Sequence, residues 1–172
     1  MGRVKKDCKY RIVLEKDRFK FSVAHFTIFS RQRAERLHGH NYYVRASFGF
    51  DRLCVETGMG PDMAGLKKSI DRLCQKLDER VLIPQLSPFL KIERLKSSYR
   101  ISMGKKTYQF PREDVLLLPV TNITCEALSE YFWGNLKTSL KSLRGLGELS
   151  VEIRETTGQS AIFSQALDSK TE

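Results

Sequence analysis

The sequence predicts an α+β fold in which two helices cover one face of an antiparallel four-stranded sheet. Its hydrophobic period switches between strand-like and helix-like in the order strand, strand, helix, inserted hairpin, helix, strand, strand. The 172 residues contain no repeat, no low-complexity tract and no Gly/Ser linker, and 41% of them are hydrophobic. A chain of this length and composition can bury one core, so we expect residues 1–172 to form a single domain.

The first two strands are predicted by the alternation of apolar and polar residues. In residues 19–25 the odd positions are apolar as far as Val23 and end on His25. In residues 38–50 the even positions carry His38 and His40, followed by apolar residues and Tyr42. Because alternate residues of a strand point to one side, His25 shares the apolar face of the first strand, and His38 and His40 share one face of the second.

Two helices are predicted by apolar residues that recur every three or four positions. The first lies in GPDMAGLKKSIDRLCQKLDE, where Asp62 can cap its start. The second lies in TCEALSEYFWGNLKTSLKSL, with Thr124 as N-cap, Glu126 in the first turn and Leu143 on its apolar face.

Two hairpins complete the pattern. ELSVEIRETTGQSAIFSQ alternates, turns near Thr157 and Gly158, and alternates again, which is typical of paired strands at the end of the fold. Between the helices, SYRISMGKKTYQFP predicts two short strands around Gly104.

Charge and composition limit the class of ligand. The net charge of +10 and the pI near 9.6 suit an anionic ligand, either a nucleic acid or a phosphorylated small molecule. Lys and Arg are spread along the chain, with no basic block, so we do not expect nucleic acid. No apolar run approaches the roughly 18 residues of a membrane span, and the start of the chain has no signal-type apolar block, so we expect a cytoplasmic protein.

The metal-binding potential of the chain lies in its histidines. Its four cysteines form no CxxC motif, which argues for reduced thiols and against a thiolate metal site. The sequence has three histidines, and an antiparallel pairing of the first two strands would bring His25 beside His38 and His40. A lone histidine on an apolar face is usually a core residue. Three neutral imidazoles with a fourth position open are typical of catalytic zinc, so we predict a zinc site.

The ordered motifs resemble a known superfamily. FSVAHF is followed by LHGHNY, GPDMAGLK, KLDE, TNITCEAL and finally RET. This series resembles the 6-pyruvoyl-tetrahydropterin synthase and 6-carboxytetrahydropterin synthase superfamily across residues 19–163. The resemblance implies the tunnelling fold (T-fold), in which subunits join edge to edge into barrel-like trimers that pair as hexamers, and a reduced pterin as substrate. Joining subunits at their edges also covers exposed edge strands.

The resemblance implies a role for matching residues. Three of them match the zinc ligands: His25, His38 and His40. Glu155 matches the glutamate that accepts two hydrogen bonds from the pterin amide and amino groups. Thr124 and Glu126 match the helix start of the pterin pocket.

Two positions depart from the usual family pattern. Ala34 stands where a catalytic cysteine is usual, but Glu35 completes ERLHGH, which resembles a subgroup with glutamate in place of that cysteine. The resemblance implies that Glu35 is the base, although a carboxylate is a poor base at neutral pH unless burial raises its pKa. The usual Asp-His pair reads Asp78-Glu79 here, so Asp78 and Glu79 are the further catalytic candidates.

Three hypotheses for function follow. The leading one is a zinc-dependent lyase that acts on the side chain of a reduced pterin such as dihydroneopterin triphosphate. Its product would be 6-hydroxymethyl-7,8-dihydropterin, as in the glutamate subgroup, or a 6-pyruvoyl- or 6-carboxytetrahydropterin. The second is a pterin- or purine-binding protein that keeps the fold and the zinc without the chemistry. The third, a basic nucleic-acid-binding protein, has charge in its favour but no stacking motif or groove-reading element.

Overall fold

The computed structural model describes residues 8–140, 145–156 and 158–167. Within these ranges the elements follow in the order β1 (Tyr10–His25), β2 (His38–Phe50), α1 (Ala64–Leu77), β3 (Arg80–Pro84), β4 (Lys91–Arg94), β5 (Ser98–Met103), β6 (Lys106–Pro111), β7 (Val115–Leu118), α2 (Cys125–Ser139), β8 (Leu146–Glu155) and β9 (Gln159–Ala166). Two predicted features, Leu143 on the second helix and Thr157 in the last turn, lie outside the described residues.

The main sheet contains the four predicted strands and two more. Its order is β7-β3-β1-β2-β8-β9, and the four strands from β1 to β9 pair antiparallel, as predicted. β3 and β7 extend this sheet as parallel strands, so it has six strands where the sequence predicted four. Both are short apolar runs, RVLIP and VLLL, and parallel strands buried on both faces show no alternation by which to recognise them.

One main core joins the two helices to one face of the sheet. Leu66, Ile70 and Leu77 of α1 and Phe132 and Leu136 of α2 lie in it with no more than 1% of their surface exposed. Each such side chain stabilises the fold by roughly 1.5–3 kcal/mol relative to exposure. The predicted amphipathic helices are thus confirmed: α1 packs against β1, which carries His25, and α2 packs mainly against β8 and β9.

A bulge in β1 changes which residues face the core. The pairing with β2 shifts between Glu15 and Lys20. From one paired position to the next, β1 advances by five residues there, while β2 advances by two, from Arg45 to Tyr43. Because three extra residues reverse the alternation, Leu14 is buried before the bulge and Phe19 after it. β1 begins at Tyr10, nine residues before Phe19, where the predicted alternation starts, because the bulge hides the continuity of the strand in the sequence pattern.

The predicted hairpin around Gly104 is part of a separate three-stranded sheet, β4-β5-β6. It covers a second hydrophobic cluster, in which Ile101 and Met103 of β5 pack with Phe26, Ile28 and Ile83. Phe26 and Ile28 belong to the loop 26–37 between β1 and β2. The inserted sheet therefore rests on the loop that leads into the HGH motif.

Of the helices in the described ranges, none has the combination of length and apolarity that crossing a bilayer requires.

Candidate active site

The pairing register of β1 and β2 brings the three histidines together. His25 and His38 are direct partners across the strands, and His40 lies two residues further along the same face. The ring centroids are 4.8 Å apart for His25 and His38, 4.6 Å for His38 and His40, and 5.3 Å for His25 and His40. One ligand nitrogen from each ring lies within 4.8 Å of the others, so the trio can hold a metal ion.

The environment of the rings fits a metal centre. Nδ1 of His38 is 2.7 Å from the carbonyl oxygen of Arg36, and a ring that donates a proton there presents a lone pair on Nε2. His25 is 2% exposed, and burial, followed by the charge of a protonated His38, lowers its pKa. A ligand histidine must be neutral, so this donor set fits zinc with nitrogen ligands.

Glu155 lies on one side of the trio. Its Oε1 atom is 3.1 Å from Nε2 of His40 and 3.5 Å from Nε2 of His25. The hydroxyl of Tyr42, the residue opposite Glu155 on β2, donates a 2.9 Å hydrogen bond to the same oxygen. Glu155 therefore reaches the trio from β8 and is held there by a neighbouring strand.

Tyr42 is a site residue that the sequence reasoning treated only as part of an apolar face. It is completely buried, and its hydroxyl also lies 3.1 Å from Nε2 of His25. Burial and then the charge of Glu155 raise the pKa of Tyr42, so it remains a hydroxyl and a hydrogen-bond donor. The signal that could have found it is its even position, in line with His38 and His40 on β2.

Glu35 lies on the other side of the trio, in the loop 26–37. Its Oε2 atom is 3.9 Å from Nε2 of His38 and accepts a 3.1 Å hydrogen bond from the Thr27 amide. The Glu35 amide in turn donates to the carbonyl oxygen of Thr27 at 2.9 Å. Burial would raise the pKa of Glu35, but the hydrogen bonds from Thr27, and then the charge on His38, lower it overall. Glu35 is thus a carboxylate at neutral pH, without the raised pKa that would favour a strong base.

Asp78 and Glu79 are attached to the backbone of β1. Oδ1 of Asp78 accepts a 2.7 Å hydrogen bond from the Ser22 amide, and the Glu79 amide donates to the Ser22 carbonyl at 2.7 Å. Both acidic residues are exposed. Glu79 shares with His40 the lining of an open groove of about 500 Å³. The structure thus places the pair beside the strand that carries His25, and the described metal-binding group does not include them.

The start of α2 lies near Glu155, whose charge acts on the thiol of Cys125. Thr124 is the N-cap, as predicted, and its hydroxyl accepts a 3.3 Å hydrogen bond from the Ala127 amide. Cys125, the first residue of α2, is buried, and this burial and then the charge of Glu155 raise the pKa of its thiol to about 11. Glu126 is exposed in the first turn.

Backbone strain is concentrated beside the candidate residues. Within the described chain, the non-glycine residues with positive φ are Glu79, at 56°, and Thr156, at 53°. Thr156 directly follows Glu155, and Glu79 follows Asp78. Such conformations cost about 1–3 kcal/mol each and persist where surrounding contacts enforce them, as they often do at functional sites.

The protein is similar to known proteins in sequence and in fold. A protein of Methanocaldococcus jannaschii, provisionally named a 6-carboxy-5,6,7,8-tetrahydropterin synthase, is 29% identical over 153 residues, which cover 88% of this chain and 93% of that protein. The structure of Plasmodium falciparum 6-pyruvoyl tetrahydropterin synthase superimposes with a TM-score of 0.85 at 28% identity, covering 94% of this chain and all of the other.

The synthase of Plasmodium vivax has the same fold. It superimposes with a TM-score of 0.85 at 24% identity and covers 92% of this chain and 98% of its own. Two further structures of that protein carry cysteine or alanine in place of a glutamate described as its catalytic residue. In this chain, residues 14–166 match the family described as 6-pyruvoyl tetrahydropterin synthase. Because that match spans most of the sequence, the protein belongs to the 6-pyruvoyl tetrahydropterin synthase family.

Proposed function

We propose that the protein is a zinc-dependent lyase that acts on the side chain of a reduced pterin. The observation that carries this proposal is the meeting of three imidazoles with a carboxylate on each side, Glu35 next to His38 and Glu155 next to His40. Family membership supports the class of reaction. Such a reaction needs a Lewis-acid metal and a carboxylate that acts as base, and a second carboxylate can accept hydrogen bonds from the substrate.

The proposed metal ligands are His25, His38 and His40. When bound, zinc supplies Lewis acidity, which makes a hydroxyl group of the pterin side chain easier to deprotonate. That assistance matters because the lowered pKa of Glu35 makes it a modest base.

Glu35 is the proposed base. Its Oε2 atom faces the trio without belonging to it and can take a proton from a side-chain hydroxyl of the substrate. The fold neighbour from Plasmodium vivax is described with a catalytic glutamate, so a carboxylate can serve in this fold. If Glu35 is not the base, the exposed carboxylates of Asp78 and Glu79 are the next candidates.

Glu155 is the proposed pterin acceptor. Its carboxylate would accept hydrogen bonds from the amide and amino groups of the ring, while Tyr42 holds Oε1 in place. Thr124 and Glu126, at the start of α2, would form the neighbouring wall. The net charge of +10 would attract a phosphorylated substrate, for which dihydroneopterin triphosphate is our first choice.

A second candidate is a pterin- or purine-binding protein without catalysis. The observation in its favour is that Ala34 and Glu79 replace the cysteine and histidine of the usual family pattern. One experiment separates the two functions. Zinc-loaded protein is incubated with dihydroneopterin triphosphate, and the products are identified by mass. We expect 6-hydroxymethyl-7,8-dihydropterin. Tight binding of the substrate without any product would establish the binding protein instead.

The proposed assembly is a hexamer built from two trimers. β7 and β9 form the two edges of the main sheet, and exposed edges favour pairing with another subunit. Ile162 on β9 has 63% of its surface exposed, so a large apolar side chain is available for contact at that edge. We expect light scattering to give a mass about six times the 19.9 kDa of the chain. A stable monomer would contradict the expected assembly.

A further inference from the structure

One lysine of the inserted sheet contacts the backbone of the loop that carries Glu35. Lys106 is the first residue of β6, and its Nζ atom donates hydrogen bonds to the carbonyl oxygens of Ala34 and Glu35, each at 3.2 Å. The ammonium group is partly buried in this position. Two carbonyls on consecutive residues thus share one charged donor, which is a stronger contact than a neutral hydrogen bond.

The turn that carries Lys106 is anchored against the same loop. Gly104 has a φ of +56°, and a Cβ atom there would lie 3.6 Å from the carbonyl oxygen of Arg31. Met103, which pairs with Lys106 across the turn, is 5% exposed and packs in the cluster that contains Phe26 and Ile28. The position of the turn, and with it that of the ammonium group, is therefore set by the packing of Met103 and by the close approach of Gly104 to the loop backbone.

The far end of the loop has a separate attachment. The side-chain amide of Asn122 accepts a 3.0 Å hydrogen bond from the Ile28 amide and donates a 2.9 Å bond to the Ile28 carbonyl. Asn122 thus holds the start of the loop, whereas Lys106 holds the segment with Glu35. Since the Glu35 side chain receives its hydrogen bond from Thr27, the orientation of the carboxylate depends on the segment 34–35 staying close to residue 27.

We propose that Lys106 is a positioning residue for Glu35, and that the inserted sheet holds the loop 26–37 in the geometry that the base requires. This inference rests on the proposed function, in which Glu35 takes the proton. A displacement of about 1 Å in a catalytic group can reduce a rate about 10²-fold, so a single contact to the loop is enough to affect turnover. The insertion then has a role at the active site, in addition to covering the second hydrophobic cluster.

The test compares Lys106→Met with Lys105→Met, which removes the same charge from the exposed neighbour on the turn. We expect Lys106→Met to lower kcat at least about tenfold, with KM, zinc content and hexamer mass unchanged. Lys106→Arg, which keeps a charged donor, should recover part of the loss. Lys105→Met should behave as the parent protein.

A second measurement needs no turnover. Hydrogen–deuterium exchange of peptides covering residues 30–37 should be faster in Lys106→Met than in Lys105→Met, because the Glu35 amide, bonded to Thr27, loses its support. In a Glu35→Gln background, adding Lys106→Met should lower kcat no further, since a positioning residue acts through the group it positions.

Several results would overturn the inference. The first two are an unchanged exchange rate and an unchanged kcat in Lys106→Met. The third is that Lys106→Met lowers kcat by the same factor in the Glu35→Gln background as in the parent protein. The fourth is that Lys106→Met raises only the KM for the triphosphate substrate, which would make Lys106 a phosphate contact. If Glu35→Gln instead turned over like the parent, the proposed base would be wrong. The exchange experiment would then still decide whether Lys106 holds the loop.

Discussion

His38 and Glu35 are three residues apart in the chain, yet the structure holds them by different means. His38 stands on β2, where it pairs directly with His25 of β1 in an antiparallel ladder that is unbroken from Lys20 to His25. Glu35 stands on a loop and makes three hydrogen bonds, two with Thr27 and one with Lys106, which also bonds to the carbonyl oxygen of Ala34. Strand register depends on many backbone hydrogen bonds, whereas the loop geometry depends on a few side chains.

This difference indicates that metal binding and proton transfer can be separated by mutation. Changes on the strands should affect the metal or the pterin. Changes to side chains of the loop should affect mainly the rate, because the three ligands stand on the strands and the loop contacts His38 through a backbone carbonyl, that of Arg36. The following predictions test this separation.

The largest effect is expected at the strand-borne ligands. We expect about one zinc per chain in the purified protein and complete loss of it in His38→Ala or His40→Ala, because two imidazoles cannot form the site. Metal content by elemental mass spectrometry gives the result. Asn41→Ala, which directly follows His40 and lies on the other face of β2, is the control and should keep its zinc. Full zinc retention in both histidine variants would exclude the site.

The next effect is expected at Glu35. Glu35→Gln keeps the shape of the side chain and removes its basicity, so turnover should fall by about two to four orders of magnitude. Zinc content and pterin affinity should stay those of the parent, since Glu35 lies outside the metal-binding trio. Steady-state kinetics and metal analysis measure both. Glu56→Gln, in the exposed loop before α1, is the matched control. Loss of zinc in Glu35→Gln would contradict the separation.

A smaller effect is expected at Glu155. Replacing its carboxylate by an amide in Glu155→Gln removes a charged acceptor, and we expect reduced-pterin affinity to fall about tenfold, or about 1.4 kcal/mol. Titration calorimetry with a reduced pterin that lacks the triphosphate isolates ring binding from phosphate binding. Tyr42→Phe, which removes the donor to Oε1, should weaken affinity in the same direction but by less. Unchanged affinity in both variants would place the ring elsewhere.

The smallest effect is expected at Asp78, where two roles give different outcomes. Asp78→Ala removes the acceptor for the Ser22 amide, and for an exposed pair we expect a loss of about 1 kcal/mol in the free energy of unfolding. Urea denaturation measures it, with Glu79→Ala as the control, since the Glu79 contact to Ser22 uses the backbone. A loss of turnover above tenfold in stable Asp78→Ala would instead support the catalytic role implied by the family pattern.

The sequence by itself determined the elements that depend on local periodicity. Alternation predicted β2 with its correct bounds and placed His38 and His40 on one face, and the helical period together with Thr124 predicted the start of α2. Four antiparallel strands, two helices and the hairpin at Gly104 followed for the same reason. These patterns record which face of an element is buried, and that information is present in a short stretch of chain.

The meeting of His25 with His38 and His40 followed from the predicted strand pairing, but only the tertiary structure decided the other contacts between distant residues. The register of β2 against β8 brings Tyr42 to Glu155, the parallel strands β3 and β7 widen the sheet, and Asp78 bonds to Ser22 of β1. Lys106 reaches Glu35 across more than seventy positions, through an insertion whose packing depends on the second hydrophobic cluster. Such contacts depend on how whole elements pack together, and the hydrophobic pattern of one segment does not specify its partner.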